Sequence, residues 1–143
     1  MCTTLRMATR SVVRLYDHAL GGAGLRQAAY SILARVDAEG PLTISELADR
    51  LVLERTTCSR EVEALRKTGL LVIEAGRDRR QRVVRLSPEG AARLAGARGH
   101  WQVVQQRLRD SCGAQGTDDL LDQLRALLHA SEGLVTEGKA PKS

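Results

Sequence analysis

A mainly α-helical chain carrying one small β-hairpin is the fold class that the sequence predicts, and three observations predict it. Apolar residues recur at three- and four-residue steps through most of the chain, the period of a helix with one buried face. Only two short segments, Leu71–Ile73 and Val83–Leu86, are dense in β-branched residues. An arginine-rich stretch joins those two segments. With 143 residues, 43% hydrophobic and 2% aromatic with no Phe, the chain can bury one modest aliphatic core. Residues 1–143 are accordingly expected to form a single domain.

The elements follow in order. Leu5, Ala8, Val12, Leu15 and Ala19 make one face of a first helix, with Arg6, Arg10 and Arg14 as a second, basic stripe. Gly21, Gly22, Ala23 and Gly24 end it, because glycine takes the left-handed stop that other residues resist. Leu25, Ala29, Ile32, Leu33 and Val36 form the buried face of a second helix, closed by Glu39, Gly40 and Pro41. Thr43 three residues before Glu46 is a capping box that starts a short third helix, lined by Ile44, Leu47, Ala48 and Leu51. A fourth helix buries Cys58, Val62 and Leu65, turns Arg55, Thr56, Ser59, Arg60 and Glu63 outward, and stops at Gly69. The hairpin comes next. Ser87 then Pro88 is a cap followed by a first-turn proline, opening a helix to about Asp110 whose Leu94, Ala97, Trp101, Val104 and Leu108 form a seam for another helix. Thr117, Asp118 and Asp119 are expected to cap a last, leucine-rich helix, and 138–143 to be a flexible tail.

Two short helices with a tight connection, followed directly by a basic hairpin, describe a winged helix-turn-helix, here over 25–90. Charge supports this. The chain carries a net +5, and between Arg77 and Arg85 five arginines face Asp78 alone, leaving the remainder close to neutral. Arg55, Thr56, Thr57, Ser59 and Arg60 at the start of the fourth helix suit the edges of bases and nearby phosphates in a major groove. Arg77, Arg79, Arg80 and Arg82 suit the phosphate backbone or a narrow minor groove. Asp78 reads as the residue that orients a neighbouring arginine. The expected partner is double-stranded DNA. The competing readings are a winged-helix protein-interaction module that binds no DNA, and a small redox enzyme built on Cys2 and Cys112.

Other classes find less support. Cys2, Cys58 and Cys112 are odd in number, far apart and without a CxxC pair, which argues against a disulfide scaffold or structural zinc. Cys58 reads as a small buried core residue. His18, His100 and His129 have no metal-ligand spacing, so no metal and no cofactor is expected. Nor is there a phosphate-binding glycine loop or a nucleophile with its base, and the chain is not expected to be an enzyme. No apolar run approaches a membrane span and no signal-peptide region follows Met1, so a cytoplasmic protein without a membrane partner is expected.

The stretch "LTISELADRLVLERTTCSREVEALRKTGLLVIEAGRDRRQRVVRLSPEG" resembles the MarR-type transcriptional regulators. That family's Asp-x-Arg in the wing, then Val-x-Leu-Ser/Thr and a glycine, is met by Asp78, Arg80, Val84, Leu86, Ser87 and Gly90. The resemblance implies a homodimer built by N- and C-terminal dimerisation helices, here 4–20 and 88–137, holding two winged regions on a pseudo-palindromic duplex, most often as a repressor. It also implies release by a small molecule or an oxidant. The segment "CTTLRMATRSVVRLY" is similar to the first helix of the organic-hydroperoxide-sensing branch, which implies redox-sensing roles for Cys2 and Tyr16, with Cys112 near the place of a second cysteine. Departures stand beside this: Gln27 falls where that branch has a second tyrosine, and "ERTTCSRE" is unlike its recognition helix. Trp101 reads as packing on the dimer seam, although Tyr16, Tyr30 and Trp101 together suit the wall of a small-molecule pocket.

Overall fold

The first helix is anchored at its C-terminal end. α1 (Cys2–Leu20) buries only Tyr16 and Leu20. Leu5, Met7, Val12 and Leu15 stay exposed, so most of its apolar side chains are bare in the single chain. Described here, from a computed structural model, are residues 1–78 and 80–137; the tail 138–143 and Arg79 lie outside them. The chain does not reverse at Gly21, which keeps right-handed helical angles. A 3₁₀ turn, Gly21–Ala23, carries it on to Gly24, whose φ of 68° makes the left-handed stop.

α2 (Gln27–Glu39) buries Tyr30, Ile32, Leu33 and Val36, and its first-turn amide on Gln27 is held by the Asp17 carboxylate at 2.7 Å. Glu39 at its other end receives Arg35 and, at 2.8 Å, Arg50 of α3 (Ile44–Leu51), and these contacts hold its carboxyl below the usual range. The Thr43 capping box is present as expected: the Glu46 amide donates to the Thr43 hydroxyl and the Glu46 carboxylate accepts from the Thr43 amide. A strand the sequence does not announce, β1 (Leu42–Thr43), precedes α3; two residues after a proline are too few to alternate. α3 ends at Val52, a β-branched residue at φ 53°, where the chain turns into α4 (Arg55–Lys67).

β2 (Leu71–Ala75) and β3 (Arg82–Leu86) form the hairpin, and β1 joins its inner side, giving the order β1-β3-β2 with Leu42 opposite Val84 and Leu71 opposite Leu86. The core lies between this sheet and α2–α4, around Ile32, Leu33, Leu47, Cys58, Val62, Leu71 and Val84. α5 (Pro88–Cys112) starts where the hairpin closes. Its seam residues Leu94, Ala97 and Val104 are buried inside the chain, and Trp101 stacks on Tyr30 at 5.7 Å and tilts against Tyr16 at 6.1 Å. Trp101 therefore packs on α1 and α2 of its own chain.

By contacts the chain forms two compact units, one ending at Val104 and one starting at Gln105. In the second, Gly113 at φ 75° lets the chain reverse at once, and α6 (Ala114–Glu137) begins a turn earlier than its capping residues suggest. The Thr117 hydroxyl instead donates back to the Gly113 carbonyl at 2.8 Å, and Asp118 receives Arg109 at 2.9 Å. Leu120, Leu121, Leu124, Leu128 and Leu134 of α6 are exposed. No helix among the described residues is long and apolar enough to cross a membrane.

The start of α5 is fixed by contacts to the turn before β2. Ser87 caps α5 by accepting from the Gly90 amide at 2.9 Å while its hydroxyl donates to the Gly69 carbonyl at 2.5 Å, and the Ser87 amide donates to the Leu70 carbonyl at 3.2 Å. A Cβ on Gly90 would lie 1.9 Å from that same Leu70 oxygen, whereas one on Gly96 would meet nothing. Gly90→Ala is expected to lower stability by about 3 kcal/mol, since a backbone atom cannot rotate aside. Gly96→Ala is expected to raise it by about 0.5 kcal/mol through helix propensity. Urea midpoints of the two variants check both signs.

Candidate nucleic-acid interface

α4 presents its outward face because its inward one is fully used. Cys58, Val62 and Leu65 are buried at four- and three-residue steps, which leaves Thr56, Ser59 and Arg60 exposed and Thr57 half-buried at the edge. The Cys58 thiol donates to the Ile44 carbonyl at 3.7 Å and ties α4 to the first turn of α3. Glu63 is held by two bonds from Arg66 at 2.7 and 2.8 Å, and its carboxyl is kept below the usual range by that contact first. Arg55 and Arg60 at the start of α4 form no ion pair among the described residues.

The hairpin ends in a turn closed by Gly76 donating to Gln81 at 2.7 Å and Gln81 donating to Asp78 at 2.8 Å. Asp78 accepts the backbone amide of Arg80 at 3.1 Å. The acid thus orders the turn through the main chain, and its carboxylate forms no ion pair with Arg77, Arg80 or Arg82 among the described residues. Arg77, Arg80 and Arg82 are exposed; Arg79 lies outside the described residues. Arg85 is spent on Glu74 across the hairpin at 2.8 Å, which neutralises the hairpin's body and leaves the charge at its tip.

α4 and the tip meet at a groove the sequence does not reveal. Thr43, Ser45, Arg55, Arg80, Gln81 and Arg82 line an open space of about 450 Å³ between the starts of α3 and α4 and the wing. The residues that converge there come from positions 43–45, 55 and 80–82, and only the β1–β3 pairing, itself unannounced, brings the first and last of these together. Arg55, Arg80 and Arg82 form no ion pair among the described residues.

The cysteines separate by environment. Cys58 is fully buried, as expected of a core residue, while Cys2 and Cys112 are exposed at the first position of α1 and the last of α5. Tyr16 points into the core against Trp101. It lies roughly 20 Å along α1 from Cys2, so one helix does not bring the two together. Among the described residues no cluster of His, Cys, Asp and Glu could hold a metal ion.

The M. tuberculosis transcriptional regulator MosR, solved in complex with DNA, is 34% identical over 91% of this chain and 97% of its own, with a TM-score of 0.78. Residues 23–81 match the family model described as MarR family. The chain belongs to the MarR family. The transcriptional repressor CouR, bound to a 23-mer DNA duplex, is 27% identical over 90% of the chain and 92% of its own, at a TM-score of 0.83. Wild-type MarR from E. coli in its apo form, 21% identical over 90% and 96% of the two chains, shares the fold at a TM-score of 0.73. Among curated proteins none matches the sequence. The helices and three-stranded sheet of this chain are thus those of MarR-family winged-helix regulators, in agreement with the fold class read from the sequence.

Burial pushes the Cys58 thiol's pKa up. The folded chain keeps that proton at a pH where the unfolded chain, with a thiol near its ordinary value of about 8.5, has released it. Stability is therefore expected to fall as pH rises past about 8.5. Thermal midpoints of the native chain and of Cys58→Ala between about pH 7.5 and 9.5 check this: the variant starts lower and declines less steeply.

Proposed function

We propose that this MarR-family chain is a homodimeric, sequence-specific DNA-binding repressor that sits on a pseudo-palindromic duplex and is released by a small ligand or by cysteine oxidation. The observation that carries the reading is the shared exposed surface of α4 and the wing, where unpaired arginines from both elements come together around one groove. The first turns of α4, with Thr56, Thr57, Ser59 and Arg60, supply contacts to base edges in the major groove, and Arg55 belongs with them in position. Arg77, Arg79, Arg80 and Arg82 supply the backbone or minor-groove contacts, with Asp78 holding their turn in shape.

Dimerisation finds support in the bare apolar rows. Leu5, Val12 and Leu15 on α1, and Leu120, Leu121, Leu124 and Leu128 on α6, are exposed in a single chain at a spacing that suits helix packing. Two reading heads related by a two-fold axis require an inverted repeat in the duplex. For release, Cys2 is the exposed thiol on α1, and Tyr16, Tyr30 and Trp101 are the aromatic residues near which an apolar effector would act. CouR is a repressor on DNA and MosR a regulator on DNA, which favours the same activity here.

Duplexes selected from a random pool by the native protein are expected to share an inverted repeat, with affinity falling steeply as salt rises. Arg60→Ala is expected to cost roughly tenfold or more on the selected duplex and to relax the preference at one position of each half-site. Equal binding to selected and random duplexes would sink the reading. Sedimentation is expected to give a dimer, and Leu124→Glu with Leu128→Glu to give a monomer that loses the selected duplex. Peroxide is expected to release the duplex from the native chain; release that persists unchanged in Cys2→Ser would remove Cys2 as the sensor.

A further inference from the structure

We propose that Arg55, with Arg82 and Arg80, forms a seat for one backbone phosphate where the DNA strand crosses between α4 and the wing, and that Arg55 reads no base. This rests on the reading of the chain as a duplex-binding protein and changes the task of one residue within it. Arg55 occupies the first position of α4, beside the outward face expected to meet bases. Yet it shares its groove with Arg80 and Arg82 of the wing and with the hydroxyl-bearing Thr43 and Ser45 of the α3 start. Residues that read bases in one groove need not approach the wing; a group that faces the wing across a gap faces the sugar-phosphate strand between two grooves.

Electrostatics favours the same occupant. Three arginines line the space, none in an ion pair among the described residues, and of the acids close by Glu63 is committed to Arg66, Glu46 to Thr43 and Asp78 to the Arg80 amide. A cation on the first turn of a helix also opposes the helix dipole, so Arg55 works against folding unless an anion arrives. α4 lacks a side-chain cap, unlike α3, whose first amides are taken by its capping box, so amides at this end of the groove add to the positive field. Thr43 is already committed to Glu46, which leaves Ser45 as the free hydroxyl on that wall. A singly charged, tetrahedral phosphodiester accepts several such donors at once, whereas a base edge offers a planar pair.

The test compares Arg55→Ala, Arg82→Ala and Arg60→Ala in the full chain, on duplexes selected by the native protein and on random duplex, across a salt series. Arg55→Ala and Arg82→Ala are each expected to weaken both duplexes by a similar factor, to leave the selected sequence unchanged and to reduce the log–log salt slope by about 1. Arg55→Ala is expected to melt no lower than the native chain, which separates a lost contact from a lost fold. Methylphosphonates placed one at a time along the selected duplex are expected to find one position per half-site that weakens the native protein about tenfold and adds nothing in Arg55→Ala. An altered base preference in Arg55→Ala with an unchanged slope would overturn the phosphate seat while leaving duplex recognition intact. A native protein that does not distinguish selected from random duplex would bring down the underlying reading, and the seat with it.

Discussion

Three elements of this chain are fastened at a single pair of carbonyls. The turn at Gly69 and Leu70, where α4 gives way to β2, offers its carbonyl oxygens to Ser87, one to the hydroxyl and one to the amide. Ser87 spends the same hydroxyl on capping α5, and Gly90 exists so that α5 can come within contact of the Leu70 backbone. The end of α4, both roots of the hairpin and the start of α5 are therefore one joint. Everything proposed for the surface depends on it, because the separation of α4 from the wing tip is set at their shared base. A loose joint would let the wing swing, and the groove between them would have no fixed width.

The parts of this arrangement visible in the sequence are those encoded by neighbours in the chain. Thr43 and Glu46 are three residues apart, Cys58, Val62 and Leu65 fall on one helical face, and Ser87 stands directly before Pro88. Each of these needs only local geometry, and each is found as read. What escaped depends on distant pairing. β1 has no pattern of its own and exists because β3 lies beside it. Trp101 has helical spacing that suits any partner, and only the tertiary structure assigns it to Tyr30 and Tyr16. Likewise three glycines stood for one left-handed stop after α1, and the choice of Gly24 over Gly21 follows from where Leu25 must be buried.

The candidate site divides along the same line. That arginines crowd the wing and the start of α4 is a matter of composition and order, and the sequence displays it. How the arginines differ is not. Arg85 is consumed by Glu74 on the opposite strand, Arg66 by Glu63 one turn away, and Arg80 keeps its side chain while lending Asp78 its amide. Cross-strand register decides the first of these, and register is a property of the sheet. Thus a run of like residues becomes a set with separate tasks once the fold has chosen partners for some and denied them to others.

Val52 carries a consequence of another kind. A β-branched residue at φ 53° is unfavourable for an isolated chain, and the connection from α3 to α4 holds it there all the same. The backbone has few other shapes to visit at that corner while the amides of Val52 and Leu53 remain bonded to Asp49 and Ala48. The pitch of α4 relative to α3 is then settled during folding, long before any encounter with a duplex. Whatever entropy α4 would otherwise surrender on docking has been surrendered already, at a corner fixed by its own backbone bonds.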